Sequence, residues 1–418
     1  MATESVDYLR FVQPGDVISL GQGCSEPLTL TRQLAAQCEV LGSAVGRLKI
    51  FLAGSFSGVF TPAMATQFDF ASYGAVGDAA ALARARCLDI FPVHYSQLPR
   101  LLAEALRPDI VLLQLSPADS AGRHSLGVAN DYQLATARHA RVVVAEVNAR
   151  VPWTYGSLVP ADMRIDHLIH SDIALVEAPT SATGESTQRI AALVTTLVPD
   201  GATLQLGMGS IMDAVCRALH SHRKLGIHSG VIGDGVADLM TAGVVDNSRK
   251  PAHAGVTVAH SLFGSRRLFD FAHRNPAIHV VETAVTHGAQ SLATTGRLCA
   301  INSATEVDLT GQVNAEVSAG AYVGAVGGQM DFMRAAAQAD GGLSIIALPS
   351  TAAGGKVSRI VAEMRGTMTT PRADVDCVVT EWGVAHLRGL GLRDRERAML
   401  AIAHPEHREA LQSGLRHL

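Results

Sequence analysis

Two hydrophobic patterns alternate along the chain. Runs apolar at nearly every position recur at Ile110-Val111-Leu112-Leu113-Gln114-Leu115, Val142-Val143-Val144-Ala145, Ser344-Ile345-Ile346-Ala347-Leu348 and Cys377-Val378-Val379-Thr380. A strand apolar on both faces must be covered on both, as in a parallel sheet flanked by helices. The other pattern returns every three or four residues. After Gly209, residues Ile211, Ala214, Val215, Ala218 and Leu219 fall at i, i+3, i+4, i+7 and i+8, one buried helix face. Ser210 with Asp213 three positions later has the spacing of a capping box at its start. Arg395 to Ala403 reads as a helix before His404-Pro405. The alternation predicts an α/β protein.

Two segments share one design. In Pro14-Gly15-Asp16-Val17-Ile18-Ser19-Leu20-Gly21-Gln22-Gly23 and in Asp200-Gly201-Ala202-Thr203-Leu204-Gln205-Leu206-Gly207-Met208-Gly209, three glycines match at a constant offset. Each reads as turn, short strand and Gly-x-Gly loop opening a helix, which suggests a duplicated α/β unit. Between the copies, Pro179-Thr180-Ser181-Ala182-Thr183-Gly184-Glu185-Ser186-Thr187 has the composition of a linker. The boundary is placed near residue 186, giving units of residues 1–186 and 187–418.

Composition narrows the class. A length of 418 residues suits about two domains. Lys+Arg 34 against Asp+Glu 38 gives a net charge of −4, without the basic excess of a nucleic-acid binder. The N-terminus has no basic stretch leading into an apolar run, and no apolar run approaches the ~20 residues of a membrane span. Six cysteines (Cys24, Cys38, Cys87, Cys216, Cys299 and Cys377) are scattered without a C-x-x-C pair, as reduced thiols of a cytoplasmic protein would be, and no metal site is predicted.

The candidate chemistry lies in glycine-rich loops. Gly207-Met208-Gly209-Ser210-Ile211 places free backbone N–H groups and the positive end of a helix dipole where an anion or oxyanion can bind. The third glycine of a dinucleotide fingerprint is missing, with Met212 in its place, so no nicotinamide or flavin is expected. Gly324-Ala325-Val326-Gly327-Gly328 is a second such turn, and Gly354-Gly355-Lys356 puts a cation on a third. In Ile227-His228-Ser229-Gly230-Val231-Ile232-Gly233-Asp234-Gly235, His228, Ser229 and Asp234 form a possible nucleophile–base set, though no G-x-S-x-G elbow is present. A histidine beside a strand is ordinarily a structural residue.

Taken together, these segments resemble the acetyl-CoA hydrolase/transferase family. The resemblance runs through Gly21 to Pro27, Ser116-Pro117-Ala118-Asp119, Ser125-Leu126-Gly127-Val128, Asp131-Tyr132, Ala145-Glu146-Val147-Asn148 and Leu206 to Gly209. It continues through Asp234 to Leu239, Gly327 to Phe332, Thr380-Glu381-Trp382-Gly383-Val384-Ala385, Leu387-Arg388-Gly389 and Ala403-His404-Pro405. It implies two similar open α/β domains with the active site at their interface. It also implies coenzyme A as bound substrate or product, an acyl-CoA and a small carboxylic acid or other acyl acceptor as partners, and a homodimer or higher assembly. The CoA-binding positions map onto Gly207, Met208, Gly209, Ser210 and Ile211, with Gly324, Gly327 and Gly328; Lys356 is a further candidate. Backbone N–H groups of Gly21 to Cys24 and of Gly327 to Gly328 are candidate oxyanion donors.

Family members use a glutamate carboxylate as nucleophile and carry CoA as a glutamyl thioester. By the resemblance, that position is Gly230 here. Two smaller departures accompany it: Met212 replaces a common proline, and Trp153 stands where an arginine is common. With no carboxylate at 230, the expectation is hydrolysis or direct acyl transfer, with Asp234, His228 and Glu26 as candidate bases. The alternatives are a CoA-transferase with a relocated carboxylate, or an acyl-CoA-binding protein without turnover.

Overall fold

The computed structural model describes residues 5–179 and 184–414. The doubly apolar runs are strands at the centres of two sheets. Ile110–Leu115, Val142–Asn148 and Cys377–Thr380 are buried along their whole lengths, as strands covered on both faces must be.

The first sheet comprises β1 (Val17–Leu20), β2 (Leu48–Phe51), β3 (Phe68–Ser72), β4 (Leu88–Ile90), β5 (Ile110–Leu115), β6 (Val142–Asn148) and β7 (His167–Ser171) in the order β4-β3-β2-β1-β5-β6-β7, all parallel. The second is built around β8 (Thr203–Leu206) and β9 (Gly226–Ile227). Beyond β8 lie Leu298–Asn302, Leu343–Ala347 and Cys377–Thr380, all parallel, and then the antiparallel edge strand Gly383–His386. Beyond β9, a parallel bridge from His228 to Val258 leads to Thr257–Ala259 and its parallel partner Ile278–Val280. Read from Ile278–Val280 to Cys377–Thr380, the second half repeats the strand order of the first. The paired glycines repeat as well. Gly15 and Gly201 (φ +83° and +76°) turn into β1 and β8, and Gly23 and Gly209 (φ +55° and +103°) leave them, conformations that a side chain disfavours.

Three local expectations change. Residues 180–183 of the expected linker lie outside the described residues, and its end is helical. Glu185–Leu197 buries Ile190, Ala191 and Val194 in the same core as Ile211 and Val215 of helix Ser210–Ala218. The capping box does not form. Gly209 is the N-cap and Ser210 already the first helical residue, so the N-cap position has no side chain with which to cap this helix. The helix before His404-Pro405 spans Leu392–Ile402, starting earlier than the apolar spacing suggested because its first turn is exposed.

The two halves share a core. Cys24, Val128 and Val151 of the first half pack with Ile232, Ala259 and Leu262 of the second. Backbone hydrogen bonds cross the seam from Ala75 N–H to Gly324 O, Tyr95 N–H to Gly327 O, Asn130 N–H to His260 O and Leu262 N–H to Val128 O, at 2.7–2.9 Å. Asp331 accepts from Ser96 N–H and Oγ at 3.1 and 2.7 Å.

Candidate active site

Parallel strands deliver their next residues to one edge of a sheet, and in α/β folds ligands bind beyond that edge. Here the carboxyl edges of both sheets face each other. Gln22 follows β1, Tyr73 follows β3, Gly207 follows β8, His260 follows Thr257–Ala259 and Ser303 follows Leu298–Asn302. All of them line one cavity of about 360 Å³ at the seam.

The wall from the first half is formed by Gln22, Tyr73 and Tyr95, held from behind by a carboxyl group that does not itself line the cavity. Asp131, fully buried, accepts from Gln22 Nε2 at 2.7 Å, from Tyr132 N–H at 2.7 Å and from the Tyr95 hydroxyl at 3.4 Å. Gln22 also bonds the Tyr95 hydroxyl and accepts from Tyr73 OH at 3.2 Å. Burial raises the Asp131 carboxyl above the usual carboxylate range, and burial with the neighbouring Asp131 raises the Tyr95 phenol well above its ordinary value.

The wall from the second half holds two glycine loops. Gly207 and Met208 lead into helix Ser210–Ala218, whose first N–H groups have no side-chain cap. Gly324 to Gln329 lead into helix Gln329–Gln338, likewise without a side-chain cap. Both helix ends present donors and positive dipole ends toward the site. In the first half, Gly23 N–H is committed to Gly54 O at 2.6 Å, which removes it from the expected set of oxyanion donors.

At the floor lies Gly230, buried, with two imidazoles against it. A Cβ there would stand 3.0 Å from His287 Cε1, 3.1 Å from His287 Nε2 and 3.2 Å from His260 Nε2. The His260 ring stacks on Tyr95 with centroids 4.6 Å apart and planes at 11°. His287 lies 5.2 Å from His260 and 4.7 Å from Phe332. Burial lowers the His260 imidazole to about 3, and burial followed by the nearby His260 and His228 keeps His287 well below its ordinary value. Both rings are neutral at physiological pH.

The predicted site residues divide between this cavity and its surroundings. Gly207, Met208, Gly324, Gly327 and Gly328 line it, as Gly230 does. Gly209, Ser210 and Ile211 lie just behind Met208, with Ile211 and Met212 in the core. Lys356 is exposed on the turn between Thr351–Ala352 and Val357–Ser358. The three candidate bases serve the loops around the cavity. Glu26, 1% exposed, accepts from Thr31 and Ser57 hydroxyls at 2.9 and 2.8 Å, and burial raises its carboxyl. Asp234 accepts from Ser265 N–H and Oγ at 2.9 and 2.8 Å, tying down the turn after Phe263. His228 Nε2 sits 3.1 Å from Thr286 O, and burial followed by the adjacent Lys250 lowers its imidazole to about 4. Trp153 is buried beyond the cavity, donating from Nε1 to Arg123 O at 3.2 Å.

Sequence reasoning missed His260, His287, Tyr95 and Gln22 as a group. One signal was available: His260 directly follows the apolar run Val256-Thr257-Val258-Ala259, at the carboxyl end of a buried strand. Nothing local marks His287.

The N-terminal domain of the acetyl-CoA hydrolase/transferase family matches residues 3–177, and the C-terminal domain matches residues 264–415. The chain is 41% identical over 328 residues to a 4-hydroxybutyrate coenzyme A transferase of Clostridium kluyveri, covering 78% of this chain and 76% of that protein. The chain belongs to the acetyl-CoA hydrolase/transferase family. The crystal structure of RipA from Yersinia pestis superimposes with a TM-score of 0.91 at 32% identity, covering 96% of this chain and 94% of that one. A 4-hydroxybutyrate CoA-transferase from Porphyromonas gingivalis superimposes with a TM-score of 0.82 at 33% identity, covering 97% and 94%. The two-sheet architecture is therefore that of a CoA-transferase of this family across nearly the whole chain. Among the described residues, no helix is long and apolar enough to cross a membrane, and no group of three His, Cys, Asp or Glu could hold a metal ion.

Proposed function

We propose that this member of the acetyl-CoA hydrolase/transferase family cleaves an acyl-CoA thioester without a glutamyl-CoA intermediate, by hydrolysis or by direct transfer of the acyl group. The observation that carries the reading is the cavity wall. Gly230 stands where the resemblance puts the nucleophilic glutamate, and among the described residues no Asp or Glu lines the cavity. A glycine supplies no nucleophile, so a ping-pong exchange has nothing in the cavity on which to hold CoA.

The loops Gly207–Ile211 and Gly324–Gly328 are the CoA-binding elements of this reading, with uncapped helix N-termini to meet phosphate or a thioester oxygen. These backbone donors fit a CoA thioester whose acyl end enters the seam. The relatives' names include transferases of 4-hydroxybutyrate and hydrolases of acetyl-CoA, which supports a CoA thioester as the substrate class.

Purified protein offered a panel of acyl-CoAs should release free thiol, and borohydride treatment during turnover should leave no reduced adduct on any carboxylate. Intact mass and peptide mapping read the second result. A covalent adduct on an Asp or Glu would establish a relocated nucleophile instead. CoA binding by calorimetry with no thiol release would establish a binding protein.

A further inference from the structure

Resting on the acyl-CoA reading above, we propose that His287 and His260 act as a base–donor pair on a neutral, protic acyl acceptor, water or an alcohol. His287 Nε2 takes the acceptor's proton, and His260 Nε2–H holds the thioester oxygen as it becomes an oxyanion.

Position comes first. The two Nε2 atoms are 3.1 and 3.2 Å from the point where a side chain on Gly230 would begin. They occupy the approach to the space that a residue at 230 would otherwise fill.

Their partners assign the protons. His287 Nδ1 is 2.8 Å from Thr286 Oγ1, and that hydroxyl reaches Thr283 O at 3.4 Å. With the hydroxyl proton on the carbonyl, Thr286 accepts Nδ1–H, which leaves the lone pair on His287 Nε2 facing the cavity. Among the described residues, His260 Nδ1 is buried with no hydrogen-bond partner. A buried unpaired N–H is rarer and more costly than an unpaired acceptor, so the His260 proton belongs on Nε2. The two rings therefore present one acceptor and one donor to the same space. Burial keeps both uncharged, the state in which this division of roles holds.

The acceptor class follows from what the wall lacks. Among the described residues, no Lys or Arg lines the cavity. A carboxylate acceptor would enter without a cation to meet it and would bring no proton for an imidazole to remove. Water or an alcohol brings that proton. Its oxygen bonds to the acyl carbon while His287 takes the proton. The C–S bond then breaks, and the proton passes to the departing CoA sulfur, giving an acid or an ester and CoA–SH.

The test begins with the unaltered protein. Acyl-CoA is offered in ¹⁸O-labelled water, alone, with a series of alcohols, and with acetate or succinate. Label in the released acid, or an ester product, is expected, with no stimulation by carboxylates. In His287→Gln and His260→Gln, kcat should fall about 10²- to 10⁴-fold, the usual contribution of a positioned acid or base, with KM within a few-fold. Faster CoA release with carboxylates and formation of their CoA esters would overturn the inference while leaving a CoA-thioester enzyme in place. So would histidine variants within about five-fold of the parent. No thiol release from any acyl-CoA would overturn both readings.

Discussion

A methyl group at position 230 should destabilise the protein because of His287 and His260, and removing an imidazole should relieve it. The φ angle at Gly230 is not positive, so alanine carries no backbone penalty there. Its Cβ would make three contacts of 3.0, 3.1 and 3.2 Å where carbon atoms settle at about 3.5–4.0 Å, so each neighbour must yield by a few tenths of an ångström. The rings have little room to yield: His260 is stacked on Tyr95, and His287 lies against Phe332. Overpacking of this kind costs about 1–3 kcal/mol, offset by about 0.4–1 kcal/mol from the stiffer unfolded chain, for a net loss of about 1–2 kcal/mol in Gly230→Ala. In the His287→Ala background the same change should be neutral or stabilising, giving a coupling of about 1 kcal/mol or more. Urea unfolding of the parent, both single variants and the double variant measures it. For the same reason Gly230→Glu alone should form no glutamyl-CoA, whereas Gly230→Glu with His287→Ala should gain a CoA adduct, visible as added mass. A stable Gly230→Ala, with coupling inside the usual additivity error of about 0.3–0.5 kcal/mol, would refute the steric argument.

Two further predictions concern groups outside the cavity. Lys250 is 3% exposed and donates only to Ile227 O and Val256 O, at 2.8 and 2.6 Å, among the bonds of the described residues; burial lowers its ammonium to about 7. Because the folded value lies below the unfolded one of about 10.4, the unfolded chain binds more protons between them, and this lysine's contribution to stability rises with pH across that window. Relative to Lys250→Met, the parent should therefore gain up to about 4 kcal/mol between pH 7 and 10, at about 1.36 kcal/mol per unit; a pH-independent difference in urea midpoints would contradict it. At the seam, Asp331→Ala removes the acceptor for Ser96 N–H and Oγ and should cost about 1–3 kcal/mol, while Asp331→Asn, which keeps one acceptor, should cost less. Equal stability of the two variants in thermal unfolding would rule out that bond as a clasp between the halves.

Much of the architecture was legible in local pattern. The runs at Ile110, Val142, Ser344 and Cys377 are strands because a segment apolar on every side has no stable place except inside a covered sheet. The glycine pairs around Val17–Leu20 and Thr203–Leu206 repeat the same backbone turns, since positive φ favours glycine wherever the chain enters and leaves such a strand. The loops Gly207–Gly209 and Gly324–Gly328 carry the same signal at Gly209 and Gly327, with φ +103° and +53°.

The titratable residues were not legible in this way. Glu26, Asp234 and His228 each lie within about three residues of a glycine in sequence, and their partners come from elsewhere. Ser57 bonds Glu26, Ser265 bonds Asp234 and Thr286 meets His228, and those contacts make them braces of the loops. Conversely, Gln22, Tyr95, Asp131, His260 and His287 are spread over more than 260 positions and meet only because two sheets point their carboxyl edges at each other. The sequence alone determined the family resemblance, the buried strands and the turns, because these depend on burial and backbone conformation within a few residues. Only the tertiary structure decided which polar groups face the cavity, because hydrogen-bond partners and burial, which set proton positions and charge, are supplied by segments far apart in the chain.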